Sequence, residues 1–353
     1  SIEKMYKYPV DVAGTHGKTS TTGMLSHIFI AADKNPTILI GGELPVINGN
    51  MHIGGDEYFI SESCEYHCSF LDFSPYISVI LNVDADHLDY FKDIEEIKQA
   101  FGKFASIASG AVVINADDKN TVDAVGSIEK PIITTSAKAE ADFYAKNISC
   151  NGFSEYSFDV YGQSGYINHI ELSVPGVHHV NNALCAYAAA ATLGVDAESI
   201  AKGLKSFTGV KRRFELKCEQ NGIRIYDDYA HHPTEIAATL QTLKNFTANE
   251  RYIIFQPHTY TRTYALLGDF IKALSGVGTI IVLPIYAARE KDTGKISGKD
   301  IAEKIEGAYY AESFEDAADY ILPRLKKGDI VMTMGAGDVY KTGDILINKI
   351  KNC

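Results

Sequence analysis

No run of apolar residues in the 353-residue chain approaches the roughly 18 to 20 needed to cross a bilayer. The first residues, SIEKMYKYPVDV, lack the apolar stretch of a secretory signal, so a cytoplasmic protein without membrane insertion is expected. Cations are in deficit: 33 Lys plus Arg stand against 45 Asp plus Glu, a net charge of −12. That balance argues against nonspecific attraction to nucleic acid, and any anionic ligand must be held by local cations and backbone amides. Cysteine is sparse, at 64, 68, 150, 185, 218 and 353, with no CxxC pair, so reduced and mostly buried thiols are expected. Cys64, His67 and Cys68 are neighbours, but no second ligand pair follows at zinc-site spacing, and no metal site is read there. Repeats and low-complexity tracts are also missing. What is present, 46% hydrophobic and 22% charged residues, is the composition of a folded protein with enough chain for about two domains.

Short apolar runs alternate with stretches of helical period. Strands are expected at 10–14, 57–63, 76–83, 110–117 and 131–136, with helices at 19–32 and 93–108 between some of them. That succession implies a parallel sheet with right-handed crossovers. Residues 141–174 alternate differently (YSFDVY, HIELSV) and are broken by Gly and Asn, which predicts an antiparallel addition at the sheet edge. An Ala-rich helix at 181–194 leads through 200–209 to Gly209, which reads as a hinge. The alternation then restarts, with strands at 222–230, 251–260, 279–290 and 329–338 whose C-terminal ends carry polar or Gly residues. In open α/β sheets ligands bind at those ends.

The sharpest local signal is AGTHGKTSTTG (13–23), between a strand and a helix. Its GxxGKTS spacing is two residues shorter between the glycines than the usual GxxxxGK[ST], yet the mechanics are intact. Gly14 and Gly17 let the backbone through Thr15 and His16 curl so that N–H groups face a phosphate. The helix beginning near Lys18 presents its positive dipole end, and Lys18 adds a mobile charge. Thr19 is placed to offer a hydroxyl to Mg²⁺, with Ser20 as second choice.

Further along come SESCEYHCSFLDFSP (61–75), NVDADHLDYF (82–91), VPGVHHVNNALCAYAA, FTGVKRRFE, YDDYAHHPTEI, FQPHTYTRT and GAGDVY. In this order they resemble the Mur ligase family, which makes peptidoglycan precursors. The resemblance implies an α/β fold: a central P-loop ATPase-like domain with a mostly parallel sheet (1–210), then a Rossmann-like C-terminal domain (211–353). It also implies that the family's first, UDP-binding domain should precede the loop, whereas only a dozen residues do. ATP and Mg²⁺ are the implied cofactors, and UDP-N-acetylmuramate and L-alanine the implied substrates, joined through an acyl phosphate. The sequence carries no signal for oligomeric state.

The same resemblance distributes roles. Glu62 and His87 join Thr19 as implied metal ligands, with Glu65 an alternative to Glu62, and Asp84 or Asp86 open to a helix-capping reading. Asn182 matches the family's nucleotide-binding asparagine, or else caps its helix, and His179 stands where Asn is usual. Arg213 matches the family arginine, a fork of donors suited to phosphate, while Arg212 is open to a plainly solvated reading. Asp228 is the implied nucleotide contact, with Asp227 structural. His231 is favoured over His232 for a place near the incoming amino acid, and His258, Arg262 and Glu290 are expected to bind it. Lys18, His87, Arg213 and His231 are the expected catalytic groups, brought together by closure about 209–213. A sister ligase that attaches a ready-made tripeptide, and a non-catalytic nucleotide-binding regulator, are the competing readings.

Overall fold

A computed structural model describes residues 2–87, 90–126, 128–151, 155–292 and 294–351. The chain forms two compact units, Ser1–Lys211 and Arg212–Cys353.

The first unit contains β1 (Tyr8–Ala13), α1 (Lys18–Ala31), β2 (Thr37–Leu44), β3 (Gly49–His52), β4 (Tyr58–Glu62), β5 (Ile77–Ile80), α2 (Ile94–Ile107), β6 (Ala111–Asn115) and α3 (Lys119–Val125). It continues with β7 (Ile132–Ser136), β8 (Phe143–Cys150), β9 (Glu155–Gly162), β10 (Gly165–Pro175), α4 (His178–Thr192) and α5 (Ala197–Ser206). One ten-stranded sheet results, in the order β10-β9-β8-β7-β6-β5-β1-β4-β2-β3. The pairs from β8 through to β2 are parallel, while β9, β10 and β3 are antiparallel additions. Both faces are covered because central strands are apolar on both sides. Val10, Val12, Ile60 and Val79 pack with Met24, Leu25 and Ile28 of α1 and Ala183 of α4, whereas Ala13, Ile80, Val112 and Ile114 pack with Phe101 and Phe104 of α2. Each of the Val, Leu, Ile, Met and Phe side chains contributes roughly 1.5 to 3 kcal/mol on burial. The expected 141–174 segment supplies β8–β10 at one edge, and β2 and β3, not anticipated, extend the other.

The second unit contains β11 (Glu215–Gln220), β12 (Ile223–Asp228), α6 (Pro233–Lys244), β13 (Arg251–Phe255), α7 (Tyr260–Ala265), α8 (Leu267–Leu274), β14 (Thr279–Val282) and α9 (Gly298–Ala302). After them come β15 (Tyr309–Tyr310), α10 (Phe314–Ile321), β16 (Ile330–Met334) and α11 (Tyr340–Lys351). The sheet order is β11-β12-β16-β13-β14-β15, parallel except for β11. Its two faces bury separate clusters, α6, α8 and α9 on one side and α10 and α11 on the other. Asp228, Met334 and Phe255 lie in register, so the ends of β12, β16 and β13 open at one level.

Two expectations need correction. Among the described residues the thiols are not mostly buried: Cys64 and Cys150 are exposed, Cys68 and Cys218 are half-buried, and Cys185 is buried, while Cys353 lies outside the described residues. Cys64 lies in the turn after β4 and Cys150 ends β8, places where the chain leaves the sheet for solvent. The strand expected at 76–83 is shorter, because β5 stops at Ile80 and residues 81–84 turn to bond the glycine loop, with His87 beyond them outside any strand. Among the described residues, no helix is long and apolar enough to cross a membrane.

Candidate active site

In the first unit the glycine loop runs from the end of β1 into α1. Gly14 (φ +148°) and Gly17 (φ +85°) adopt backbone angles that L side chains rarely reach. Space forbids a side chain as well: a Cβ on Gly17 would stand 2.8 Å from Asn182 Oδ1. Gly17 brings no side-chain cap to the 14-residue α1, and no acid occupies the first turn. An uncapped helix start without its own carboxylate is electrostatically suited to an anion.

The loop is pinned from β5's exit. Thr15 N–H donates to the Asn82 carbonyl at 3.0 Å, and His16 N–H to Asn82 Oδ1 at 2.7 Å. Asn82 Nδ2 returns a bond to the His16 carbonyl, and Asp84 N–H donates to Thr15 Oγ1 at 2.9 Å. Asn82 carries no role in the sequence reading, and its only signal was its place in a strand-end motif. Asp84 braces the loop, while α2 is capped by Asp93.

Lys18 folds back over this loop onto the carbonyls of Gly14 and Thr15, and its Nζ donates to Glu65 Oε2 at 2.9 Å. Glu65, 2% exposed, also lies 3.5 Å from His87 Nε2. Burial disfavours the Lys18 charge, but Glu65, aided by Cys64 and Glu62, outweighs it and raises the lysine pKa. Burial likewise pushes Glu65 up, yet Lys18 and His87 prevail and hold its carboxyl below the ordinary value. Glu62 belongs to a neighbouring pair. Its Oε1 accepts from Thr19 Oγ1 at 3.0 Å and its Oε2 from Gly41 N–H at 2.9 Å. Thr19–Glu62 and Lys18–Glu65–His87 are thus two contact groups on neighbouring residues of α1, with Glu62 close enough to act on the Lys18 charge. Hydroxyl and carboxylate oxygens are hard donors that fit Mg²⁺, with imidazole the softer member. Ser20 is buried in the first turn of α1. Asn182 sits in the fifth position of α4, not at its N-cap, which is Val177. Its Nδ2 lies 3.4 Å from Nδ1 of the buried His179, which gives that histidine a local partner.

In the second unit the predicted residues gather at the strand ends. Asp228 closes β12 at 6% exposure and accepts from the Phe214 and Ala230 amides at 2.8 and 2.7 Å. Burial lifts its carboxyl to about 6, against the opposing pull of Arg213 and those amides. Arg213 lies 4.0 Å from Glu235 and 5.1 Å from the Tyr229 ring centre. His231 Nδ1 is 3.3 Å from Glu235, and its ring is 5.5 Å from that of His258. His258 stacks on Tyr286 at 5.5 Å, and Arg262 Nη1 lies 3.2 Å from His258 Nδ1. His232 differs from His231 because it caps α6 in a reciprocal box with Glu235. Glu290 accepts from Thr261 N–H at 2.9 Å, fixing it at the start of α7. Arg212 is not simply solvated: its Nε donates to Asp227 Oδ2 and its Nη2 to the Gly335 carbonyl, each at 2.8 Å.

Comparison with known proteins follows this division. Residues 12–190 match the Mur ligase middle domain, and residues 212–337 match the Mur ligase, glutamate ligase domain. The UDP-N-acetylmuramate–L-alanine ligase of Clostridium acetobutylicum is 48% identical over 355 residues, covering 99% of this chain and 77% of that protein. Among solved structures, the UDP-N-acetylmuramate–alanine ligase of Thermotoga maritima aligns with a TM-score of 0.82 at 29% identity, over 99% of this chain and 76% of that one. The murein peptide ligase of Psychrobacter arcticus aligns with a TM-score of 0.74 at 25% identity, over 100% and 80%.

Proposed function

Since the chain belongs to the Mur ligase family, we propose that it joins L-alanine to the lactyl carboxylate of UDP-N-acetylmuramate, with conversion of ATP to ADP and phosphate. The observation that carries this reading is the buried Lys18–Glu65–His87 cluster beside the Thr19–Glu62 pair, set on a glycine loop at an uncapped helix start. Relatives named as alanine ligases at 48% and 29% identity support the choice of substrates.

The chemical difficulty is that a carboxylate must approach the γ-phosphate of ATP, so like charges meet. Positioning and neutralisation, rather than covalent help from the protein, lower such a barrier. Lys18, the amides at the start of α1 and the curled loop receive the phosphate charge. Mg²⁺ held by Thr19, Glu62 and His87, with Glu65 behind them, would supply further neutralisation. Asn182, whose amide a Cβ on Gly17 would crowd, would offer both donor and acceptor to a base edge. The carboxylate oxygen attacks the γ-phosphorus, ADP departs, and the acyl phosphate is attacked by the alanine amine with release of phosphate.

In the second unit Arg213 offers its guanidinium to phosphate and Asp228 contacts the nucleotide. His231, His258 and Arg262 receive the amino acid, Arg262 facing its carboxylate, and Glu290 lies near its ammonium. The test is product analysis: phosphate release that requires UDP-N-acetylmuramate and L-alanine together, with the alanyl product identified by mass. Ligation of a tripeptide instead of alanine would move the chain to the murein peptide branch, and nucleotide binding without turnover would make it a regulator.

A further inference from the structure

Two consecutive arginines open the second unit, and the structure gives them different work. Arg213 leans on Tyr229 and approaches Glu235. Arg212 is held by several partners at once. Its guanidinium carbon lies 5.0 Å from the Tyr229 ring centre and 4.8 Å from that of Tyr340. In the guanidinium plane, Nε meets Asp227 Oδ2 and Nη2 meets the Gly335 carbonyl, both at 2.8 Å. Its backbone is equally engaged: the N–H donates to Glu215 Oε2 at 2.8 Å and the carbonyl accepts from Tyr229 N–H at 2.7 Å.

These contacts hold a strained segment. Arg212 (φ +62°) and Phe214 (φ +50°) both occupy the left-handed region, which costs a residue with a side chain and persists only where surroundings impose it. Arg213 lies between them, so its direction depends on both. Phe214 is fixed by its N–H, which donates to Asp228 Oδ2 at 2.8 Å, and Arg212 by the contacts just described. The clamp also reaches the turn after β16, where Gly335 N–H donates to the Asp228 carbonyl. Asp227 is itself buried and accepts from Thr333 Oγ1 at 2.5 Å, so the anchor for Arg212 is rigid.

We infer that Arg212 is a positioning residue: it does not touch the reacting groups but sets the aim of Arg213 and ties it to the glycine turn 335–338 and to Asp228. A planar fork that meets Asp227 and the Gly335 carbonyl while lying close to two rings is required, which lysine cannot supply. The inference rests on the reading of Arg213 as a phosphate-binding group.

The experiment is a double-mutant cycle in the full-length protein, following ATP-dependent alanine ligation, with thermal melts as a check on folding. Arg212→Ala should lower kcat roughly 30- to 100-fold while the KM for L-alanine changes less than about threefold. Because Arg212 acts through Arg213, R212A/R213A should be no slower than R213A. Arg212→Lys, which keeps a charge beside Asp227, should not restore the rate, and Tyr340→Leu, which removes one stacking face while leaving the ion pair, should lose roughly 3- to 10-fold. Multiplicative losses in the double variant, or full activity in R212K, would overturn the proposal. A normal R213A enzyme overturns the assignment of Arg213 on which it stands, whereas an impaired R213A beside a normal R212A overturns the positioning role alone.

Discussion

Two carboxylates, one in each unit, are buried at the exits of parallel strands and behave in opposite ways. Burial pushes both toward the neutral form. For Glu65 the Lys18 ammonium at 2.9 Å and His87 at 3.5 Å reverse that push, and the group is held below its ordinary range. For Asp228 burial prevails, and the carboxyl rises to about 6 although the amides of Phe214 and Ala230 bond it at 2.8 and 2.7 Å. The difference separates two things that a short contact can do. An amide dipole satisfies a lone pair, but a full cation in contact neutralises a charge that solvent no longer screens. The glycine-loop unit therefore holds a charge-compensated Lys18–Glu65 pair that is ionised at neutral pH, suited to fixed electrostatic work. The other unit holds a carboxylate whose charge is conditional, so a cationic or hydrogen-bonding ligand arriving there changes its state.

The largest expected effect comes from abolishing the distinction. Lys18→Ala leaves Glu65 buried without its ammonium and should raise its pKa toward the behaviour of Asp228. Ligation should fall roughly a thousandfold or more, since a main phosphate-facing cation is lost. Removing one partner of a buried pair also destabilises the fold, by up to roughly 3 to 5 kcal/mol. Phosphate release and thermal melts measure the two effects, and K18A with full ATP-dependent ligation would remove the basis for the site. A smaller effect sharpens the comparison from the carboxylate side. Glu65→Gln keeps the shape but strips Lys18 of its counter-charge, and a loss of roughly 10- to 100-fold is expected. Glu62→Gln should instead raise the Mg²⁺ concentration needed for half-maximal rate more than E65Q does. The reverse order in a Mg²⁺ titration would hand the metal role to Glu65.

What could be read from the sequence was local. The loop around Gly14 and Gly17 and the helix after it depend on turn chemistry and neighbouring residues, and both stand in the structure as the pattern implied. The parallel sheet and its antiparallel edge followed from periodicity. Contacts between distant segments were harder. Lys18 and Glu65 are 47 residues apart, and their pairing depends on β4 lying beside β1 with Glu62 opposite Val12. The sequence reading favoured Glu62 over Glu65 for the metal from motif order alone, and could not see that Glu65 would hold the lysine. Strand β2 was obscured by its Gly41–Gly42 pair, the same glycines whose first amide holds Glu62. Arg212 resembles a surface arginine until Asp227 at the end of β12 and Gly335 and Tyr340 after β16 meet it.

The smallest effect tests the Asp228 half of the comparison by its sign. A carboxyl raised from 3.8 to about 6 on folding binds more protons in the native than in the unfolded chain between those values. Stability contributed by this group is therefore present at low pH and declines as pH rises from about 4 to about 6, then levels off. Asp228→Asn removes the titration, so wild type should lose ground to D228N across that interval, by up to about 3 kcal/mol for a shift of about two units. At pH 4 the wild type should be the more stable of the two, because asparagine cannot present two oxygens to the Phe214 and Ala230 amides and one bond is lost. Glu65 works in the opposite sense and in a lower window: its carboxyl is held below the ordinary 4.5, so wild type gains on E65Q as pH rises up to about that value and the difference is flat above it. Urea midpoints of the three proteins at about pH 3, 4, 5, 6 and 7 put both slopes in one experiment. A wild-type-minus-D228N difference that stays flat across the series would mean that the amides and Arg213 neutralise Asp228 as fully as Lys18 does Glu65, and the contrast between the two units would disappear.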